Sequence, residues 1–207
     1  MPRLRRAESR LRTKNQLLES ARQIFAKNGF QGASVDMIAE HAGYSKGAVY
    51  SNFESKEALF LALLEERMSE EIGELRTLLS RSGSAEDIMQ ALEDKYRSLE
   101  KQEIWCLLAT EFQLQAGRNP EFAAPFAALY RNQRRAIAEL LKVLAEKMGA
   151  PVPIHLDAIA TSLIALTHGI ALQRAADPRA VAAATAGRSL RLFLTASLNK
   201  PPVAAHK

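Results

Sequence analysis

Apolar residues recur at intervals of three or four positions along most of this chain, which is the period of an amphipathic α-helix. In the first example, Leu17, Ala21 and Phe25 share one face. A capping pattern predicts that this helix begins at Thr13. Gly29 predicts its end, because glycine readily adopts the left-handed conformation that often closes a helix.

The same pattern predicts further helices, joined by short polar or proline-containing breaks. Serine or asparagine precedes several apolar repeats, and both side chains cap helix N-termini. Alanine and leucine dominate the composition, whereas the β-branched runs typical of strands are scarce. We therefore predict an all-α fold of about nine helices, which begin near Thr13, Ser34, Ser45, Ser55, Ser84, Glu103, Pro120, Ile154 and Pro178.

Residues 34–53 are the most informative part of the sequence. They predict a short helix, a turn at Gly43 and a second short helix. That layout is typical of a helix-turn-helix, whose second helix enters the major groove of DNA. We expect Val49 and Phe53 to face a small core rather than the DNA.

Positive charge is concentrated at the start of the chain. The net charge is only +5, but the first fourteen residues hold six basic side chains: Arg3, Arg5, Arg6, Arg10, Arg12 and Lys14. A basic segment beside a helix-turn-helix predicts contact with DNA phosphates, and we expect Arg12 and Lys14 to take part. A solvated, disordered tail is the alternative.

Several classes of protein and site are disfavoured by what the sequence lacks. Cys106 is the only cysteine, which excludes an internal disulfide and a cysteine-based metal site. No apolar run approaches the ~20 residues of a membrane span, and the N-terminus lacks the apolar core of a signal peptide. We therefore expect a cytoplasmic protein without membrane contact. Because di-iron, phosphate-loop, nucleophile-elbow and zinc-helix motifs are missing, we predict no metal, no cofactor and no enzyme activity.

Four consecutive blocks of sequence combine into a family signature. They are AKNGF at 26–30, IAEHAG at 38–43, SKGAVY at 45–50 and FESKEALF at 53–60. In this order the blocks resemble the TetR family of bacterial transcriptional regulators. The resemblance implies a DNA-binding domain of three helices, a helical domain that encloses a ligand, and a dimer formed by the last two helices of each subunit.

Polar residues of the motif are candidates for contact with the DNA backbone. Lys46, at the start of the second helix, offers a charge to a phosphate or to a guanine edge. Tyr50 resembles the family tyrosine that contacts a backbone phosphate, and packing in the core is its alternative. The helix entries at Ser34, Tyr44 and Ser45 present free backbone N–H groups, which favour phosphate.

The remaining candidates concern close approach and base contact. Lys56, at the start of the next helix, is a further phosphate candidate. Gly47 either lets DNA approach closely or packs against the first helix, and Ala48 either touches a thymine methyl or fills space. Ser51 and Asn52 are left for the bases, where asparagine can pair bidentately with adenine for ~1–3 kcal/mol of discrimination. Family members often carry bulkier aromatic or basic residues at these two positions.

One motif of this size covers only a few base pairs, so specific recognition requires a dimer on palindromic half-sites about one helical turn apart. The last two predicted helices carry apolar stripes, with small residues that permit close helix approach. We expect these stripes to form the dimer interface, through Leu163, Leu166, Ile170, Leu190, Phe193, Leu194 and Leu198. Packing inside one subunit is the alternative.

The middle of the chain carries residues suited to a small-molecule pocket, which is typically apolar with a few polar groups. The candidates are Trp105, Phe112, Phe126, Tyr130, His168 and Gln173. For each aromatic residue the alternative is ordinary core filling. For His168 the alternative is a hydrogen-bonded core or interface histidine.

We therefore predict four segments and one function. The segments are a basic arm at 1–12, a DNA-binding domain at 13–54, an effector-binding and dimerisation domain at 55–198, and a disordered tail at 199–207. The predicted function is a homodimeric repressor that binds a palindromic operator in double-stranded DNA and is released by a largely apolar effector, through a shift between two conformations. A ligand-independent architectural DNA-binding protein is the alternative.

Overall fold

The structure is all-helical, as the sequence predicts. The computed structural model describes residues 2–81, 83–97, 100–179 and 181–198, and within these ranges it contains nine helices and no strand. The predicted tail at 199–207 lies outside the described residues. The helices are α1 Pro2–Gly32, α2 Val35–Ala42, α3 Lys46–Tyr50, α4 Lys56–Ser80, α5 Ala85–Arg97, α6 Glu100–Ala116, α7 Pro120–Lys147, α8 Leu156–Ala176 and α9 Ala183–Leu198.

The first helix begins earlier than the sequence analysis predicts. It starts at Pro2, so the predicted start at Thr13 is wrong and the basic segment is helical. Arginine, leucine, alanine and glutamate dominate residues 3–12, and all of them favour helix, while proline is tolerated in a first turn. The helical path breaks at Gly29, as predicted, with φ 71° and ψ 173°. That conformation is essentially restricted to glycine.

Phenylalanine rings form the core of one compact unit, which comprises the residues up to Arg67 together with Leu108–Ala127. The ring centroids of Phe30 and Phe60 are 5.2 Å apart, and those of Phe60 and Phe112 are 4.9 Å apart. Such pairs stabilise by ~0.5–1.5 kcal/mol beyond the burial of their area. The cluster consists of Phe25, Phe30, Phe60, Phe112, Phe122 and Phe126.

The second compact unit comprises Met68–Leu107 and the residues from Ala128 onward, and its tightest contact joins α5 to α9. A Cβ atom at Gly187 would lie 2.4 Å from the carbonyl oxygen of Glu93, so only glycine permits this approach. Around the contact, Arg191 forms ion pairs with Glu86 and Glu93.

These compact units do not coincide with the predicted functional division after residue 54. The first part of α4 and the second half of α6 share the phenylalanine core of α1, because Phe60 and Phe112 both contact Phe30. The division into a DNA-binding domain at 13–54 and an effector domain at 55–198 stays a prediction.

Candidate nucleic-acid interface

Both helices of the helix-turn-helix begin at serine caps. The Ser34 hydroxyl accepts a hydrogen bond from the Met37 backbone N–H at 3.2 Å, and the Ser45 hydroxyl accepts one from that of Ala48, also at 3.2 Å. Each cap satisfies a backbone donor that the first turn leaves unpaired, and typically contributes ~1 kcal/mol. The start of each helix is thereby fixed where the sequence predicts it.

The turn between α2 and α3 depends on Gly43, which has φ 72° and ψ 26°. Its N–H donates to the carbonyl of Glu40 at 3.1 Å, and the N–H of Tyr44 donates to that of Ala39 at 2.9 Å. These two bonds close α2 in the manner of a left-handed glycine cap. The turn therefore sets the angle at which α3 leaves α2.

One face of α3 packs inward and the other is open to solvent. Val49 is 1% exposed and Phe53, just after the helix, is 6% exposed, as predicted. Tyr50 is 49% exposed, which rules out core packing as its role, and Lys46 and Gly47 are exposed beside it. The open face therefore presents a cation, a bare backbone and a phenol side by side.

The charge on Lys46 is shared with a neighbouring carboxylate. Its ammonium donates to Asp36 Oδ2 at 2.8 Å, and both side chains are more than half exposed. The hydrogen bond to Asp36 raises the pKa of Lys46 above its usual range. Because exposed ion pairs contribute little to stability, Lys46 can exchange Asp36 for a phosphate at small cost.

Gly47 is open rather than packed. A Cβ atom there would meet only the Ser45 hydroxyl, at an ordinary contact distance of 3.7 Å. Packing against the first helix, the alternative in the sequence analysis, is therefore wrong, and Ala48 beside it is partly exposed. Close approach of DNA at Gly47 stays a prediction.

The two residues selected for base contact fold back onto α3. The Ser51 hydroxyl and the Asn52 amide both donate to the carbonyl of Ala48, each at 2.8 Å. A second contact joins the Asn52 amide to the Ser51 hydroxyl at 3.3 Å. A bidentate pair with adenine would need the amide donor that these contacts occupy. Base contact by Ser51 and Asn52 therefore stays a prediction, and it would cost the free energy of breaking these hydrogen bonds.

Two further candidates have partners inside the protein. The Tyr44 hydroxyl donates to the Gln16 side chain of α1. The Lys56 ammonium donates to the carbonyls of Phe30 and Ala33 at 2.9 and 3.0 Å, and lies 4.5 Å from the centre of the Phe30 ring. The structure therefore gives Lys56 the role of holding the turn between α1 and α2, and its phosphate contact remains untested.

Arg12 and Lys14 lie on different faces of α1. Arg12 lines a shallow groove beside α2, together with Glu8, Glu19 and His41. The Lys14 ammonium instead lies 5.8 Å from the centre of the Phe53 ring, just after α3. Arg12 and Lys14 therefore have different surroundings on α1, and the phosphate contacts expected of both stay a prediction.

Arg10 is a residue that the sequence analysis did not select for the site. Its guanidinium donates to the backbone carbonyl of Ser51 at 3.5 Å, at the end of α3. Arg10 precedes Lys14 by four residues, which is the spacing of neighbours on a helix face. That spacing would have identified Arg10 if the segment had been predicted as helical.

The predicted ligand-pocket residues are distributed over both compact units. In the first unit, Phe112 and Phe126 are buried in the phenylalanine cluster, which matches the core-filling alternative. In the second unit, Trp105 is half-buried on α6. Gln173 is exposed on α8, so its predicted place in an interior pocket is wrong for the single chain. Its position near the end of α8 turns the side chain to solvent.

The other two pocket candidates lie together in the second unit. The rings of Tyr130 and His168 are 6.2 Å apart, edge to face. Burial lowers the pKa of His168, against a smaller opposite effect of Glu71. Burial raises the pKa of Tyr130, and the nearby Cys106 thiol adds to the increase. One turn beyond Tyr130, the side-chain oxygen of Gln133 is buried with no hydrogen-bond partner among the described residues, a site that sequence analysis missed.

The predicted dimer stripe needs a correction on α9. Leu190, Leu194 and Leu198 are 2%, 2% and 0% exposed, because this face of α9 packs into the core of the second unit. These three leucines therefore pack inside one subunit, which was the alternative for this stripe, and their predicted place in the dimer interface is wrong. Phe193 and the α8 residues Leu163, Leu166 and Ile170 are partly buried against the same core. On α9, Leu192 is 66% exposed instead.

The expectation that no apolar run approaches a membrane span also needs a correction. Among the described residues, one helix, Leu156–Ala176, is long and apolar enough to cross a membrane, and its most apolar 18-residue stretch has a mean hydropathy of 1.3. Length and composition alone are weak evidence for a span. Partners that cover an apolar helix in a soluble protein produce the same pattern.

Comparison with known proteins divides the chain into two matched parts. Residues 17–63 match the bacterial regulatory proteins of the tetR family, and residues 84–199 match the C-terminal domain of BetI-type transcriptional repressors. The HTH-type transcriptional repressor AcnR of Corynebacterium efficiens is 36% identical over 115 residues, which cover 54% of this chain and 55% of that protein. The chain thus spans about half the length of the AcnR relatives that it matches.

Solved structures extend the likeness over nearly the whole chain. GusR of Salmonella enterica superposes with a TM-score of 0.69 at 25% identity, over 92% of this chain and 97% of that one. FadR of Bacillus subtilis in complex with stearoyl-CoA has a TM-score of 0.68 over 88% of this chain and 97% of that one, and at 17% identity it shows the fold alone.

The matched family and the repressors named above are transcriptional regulators rather than enzymes, in agreement with the sequence prediction. The first match includes the two serine-capped helices together with parts of α1 and α4, and the second match covers α5 to α9. The chain therefore belongs to the tetR family of bacterial regulatory proteins.

Proposed function

We propose that this protein is a cytoplasmic transcriptional repressor, which binds a palindromic operator as a homodimer and leaves it when a small-molecule effector binds. The observation that carries the proposal is the open face of α3, where Lys46, Gly47 and Tyr50 lie exposed on a helix fixed by a serine cap. A helix of this size fits the major groove of DNA.

Each of the three exposed residues would contribute differently to DNA binding. Lys46 supplies a cation that is held only by an exposed ion pair, and Tyr50 supplies a hydroxyl on a rigid ring. Gly47 between them adds no side chain, so the backbone of α3 can approach the duplex. Contacts of this kind fix the register of a protein on DNA, and base choice then depends on a few neighbouring side chains.

The second unit supports an effector that is mostly apolar with a hydrogen-bonding group. Tyr130, Gln133 and His168 bring a phenol, an amide and an imidazole to neighbouring positions on α7 and α8. The buried amide oxygen of Gln133 has no hydrogen-bond partner among the described residues, so a ligand N–H or O–H placed there would relieve its desolvation. An effector that favours a conformation unable to span both half-sites would release the operator.

The exposed side of α8 and α9 supports a homodimer. Ala158, Thr161 and Ala165 are exposed along one side of α8, and Leu192 is exposed on α9. Small residues at regular helical spacing allow a partner helix to approach closely. A second copy of the chain would also cover the apolar helix α8, most of whose residues are only partly buried in the single chain.

The experiment is selection of bound fragments from genomic DNA by the full chain, followed by titration of the selected duplex. Lys46→Gln should weaken binding about tenfold, as expected for a charge-assisted contact, whereas Lys142→Gln, an exposed lysine of α7, should leave it unchanged. Fragments that share a palindrome support the repressor. Fragments without a common sequence would instead favour the architectural alternative.

A further inference from the structure

The start of α1 runs beside the C-terminal end of α3. The Arg10 guanidinium contacts the carbonyl of Ser51, the residue that caps α3, at 3.5 Å. One turn further along α1, the Lys14 ammonium lies 5.8 Å from the centre of the Phe53 ring. Both cations therefore flank the end of the helix proposed to enter the groove.

These two cations have unused capacity for an anion. The single contact of Arg10 lies at the long limit for a hydrogen bond, and a guanidinium carries five N–H donors. Both side chains are exposed, and among the described residues neither forms an ion pair with a carboxylate. Lys46 differs from them, since Asp36 already holds its ammonium.

The length of α3 indicates what these cations would meet. A helix of five residues spans roughly 8 Å, which is less than the ~12 Å width of the major groove. Cations just beyond its end therefore come to the edge of the groove, where the backbone phosphates lie. Base edges lie deeper and are reached by α3 itself.

We propose that Arg10 and Lys14 bind backbone phosphates beside the groove that α3 occupies, so that the first turns of α1 act as a second, rigid anchor on DNA. The inference rests on the proposed function, since it requires α3 to lie in the groove. It also replaces the predicted basic arm with a helix that sets the positions of Arg10 and Lys14.

Arg135 provides a control of the same charge and residue type. It is exposed on α7 and belongs to the second compact unit, whereas Arg10 lies beside the end of α3 in the first unit. A phosphate anchor at the end of α3 therefore depends on Arg10 and not on Arg135.

The test compares Arg10→Gln, Arg10→Lys and Arg135→Gln in the full chain. Binding is measured by fluorescence anisotropy at several salt concentrations. One probe is a duplex that the unmodified chain selects from a randomised pool, and the other is a scrambled duplex of equal length and composition. Arg10→Gln should weaken binding to both probes about tenfold per chain and lower the salt dependence by about one phosphate contact per chain. Arg10→Lys should retain the salt dependence, and Arg135→Gln should match the unmodified chain.

Two outcomes would overturn the inference. Equal losses for Arg10→Gln and Arg135→Gln would show that only net charge matters. A loss for Arg10→Gln with an unchanged salt dependence would show that Arg10 supports α3 rather than binding phosphate. If the unmodified chain binds both probes equally, the proposed function fails, and the salt dependence on the scrambled duplex still tests Arg10. Circular dichroism and thermal melting confirm that each variant is folded.

Discussion

The carboxylate of Glu111 on α6 accepts a hydrogen bond from the backbone N–H of Phe30 at 2.7 Å, although the two residues are 81 positions apart. On the other side of the same turn, Lys56 donates to the carbonyl of Phe30. Two charged side chains thus hold the turn that leads from α1 into the helix-turn-helix. Hydrogen bonds to charged groups contribute ~1.5–3 kcal/mol each, more than a neutral bond.

Replacing Glu111 should therefore weaken the fold around the helix-turn-helix. Glu111→Ala leaves the half-buried N–H of Phe30 without its acceptor, and we expect the free energy of unfolding to fall by ~1–3 kcal/mol. Glu111→Gln keeps an acceptor oxygen and should cost less. Urea denaturation measures both changes, with Gln113→Ala as the control because Gln113 is exposed on the same helix. Equal stability of Glu111→Ala and the control would contradict a role for this bond.

Gly29 and Gly43 both have positive φ, but alanine should cost more at Gly29. At Gly43 a Cβ atom would meet nothing within 4 Å, so Gly43→Ala carries only the ~1–2 kcal/mol of a left-handed conformation. At Gly29 the backbone lies in a region essentially restricted to glycine, and a Cβ atom would lie 3.0 Å from the Glu111 carboxylate. We expect the larger loss of thermal stability for Gly29→Ala. The melting temperature of Gly29→Ala should therefore be lower than that of Gly43→Ala, and the reverse order would be inconsistent with the geometry.

The sequence was sufficient to predict the local structure of the helix-turn-helix. Ser34, Gly43 and Ser45 act through their own side chains or backbone on residues three or four positions away, so their roles follow from sequence alone. The burial of Val49 and Phe53 was predictable for the same reason, since helical spacing places them on one face. Each of these features depends on contacts within about one helical turn.

The errors arose where contacts join residues distant in sequence. Neither the carbonyl partners of Lys56 nor the bond between Glu111 and Phe30 is visible in a periodic pattern, because the partners lie 23 to 81 positions away. On α9, periodicity identified an apolar stripe but not the helix that covers it, which is α5 of the same chain. The start of α1 was missed because the capping pattern at Thr13 outweighed the helix propensity of the residues before it.

The contact between α5 and α9 should be sensitive to a single methyl group. In Gly187→Ala the new Cβ would lie 2.4 Å from the Glu93 carbonyl, which is backbone and cannot simply rotate away. Overpacking of this kind costs ~1–3 kcal/mol or more. Gly73→Ala on α4 is the control, because a Cβ atom there meets nothing within 4 Å and alanine should stabilise the helix by up to ~1 kcal/mol. In chemical denaturation the midpoint should fall for Gly187→Ala and rise for Gly73→Ala. A shift of both midpoints in the same direction would refute the prediction.

Stability should fall on mild acidification because of His168. Burial lowers its pKa in the folded chain, so the unfolded chain binds the proton more readily. The contribution of His168 to the free energy of unfolding is constant at pH values above about 6.5, which is the pKa of histidine in the unfolded chain. Stability declines as the pH drops below that value. His168→Asn should reduce this decline when the free energy of unfolding is measured on both sides of pH ~6.5. An equally steep decline in the variant would assign the effect to another group.

Leu192 should be needed for the dimer but not for the fold. It is 66% exposed on α9, and Leu114 on α6 is similarly exposed at 61%, so the two leucines form a matched pair. Leu192→Glu would place a charge in the proposed interface, where it lacks a partner and must be desolvated. We expect this variant to sediment as a monomer and to lose affinity for a palindromic duplex, because one helix-turn-helix then binds without its second half-site. Leu114→Glu should remain dimeric. A dimeric Leu192→Glu variant would exclude this side of α9 from the interface, whereas dissociation of both variants would show that added charge alone separates the subunits.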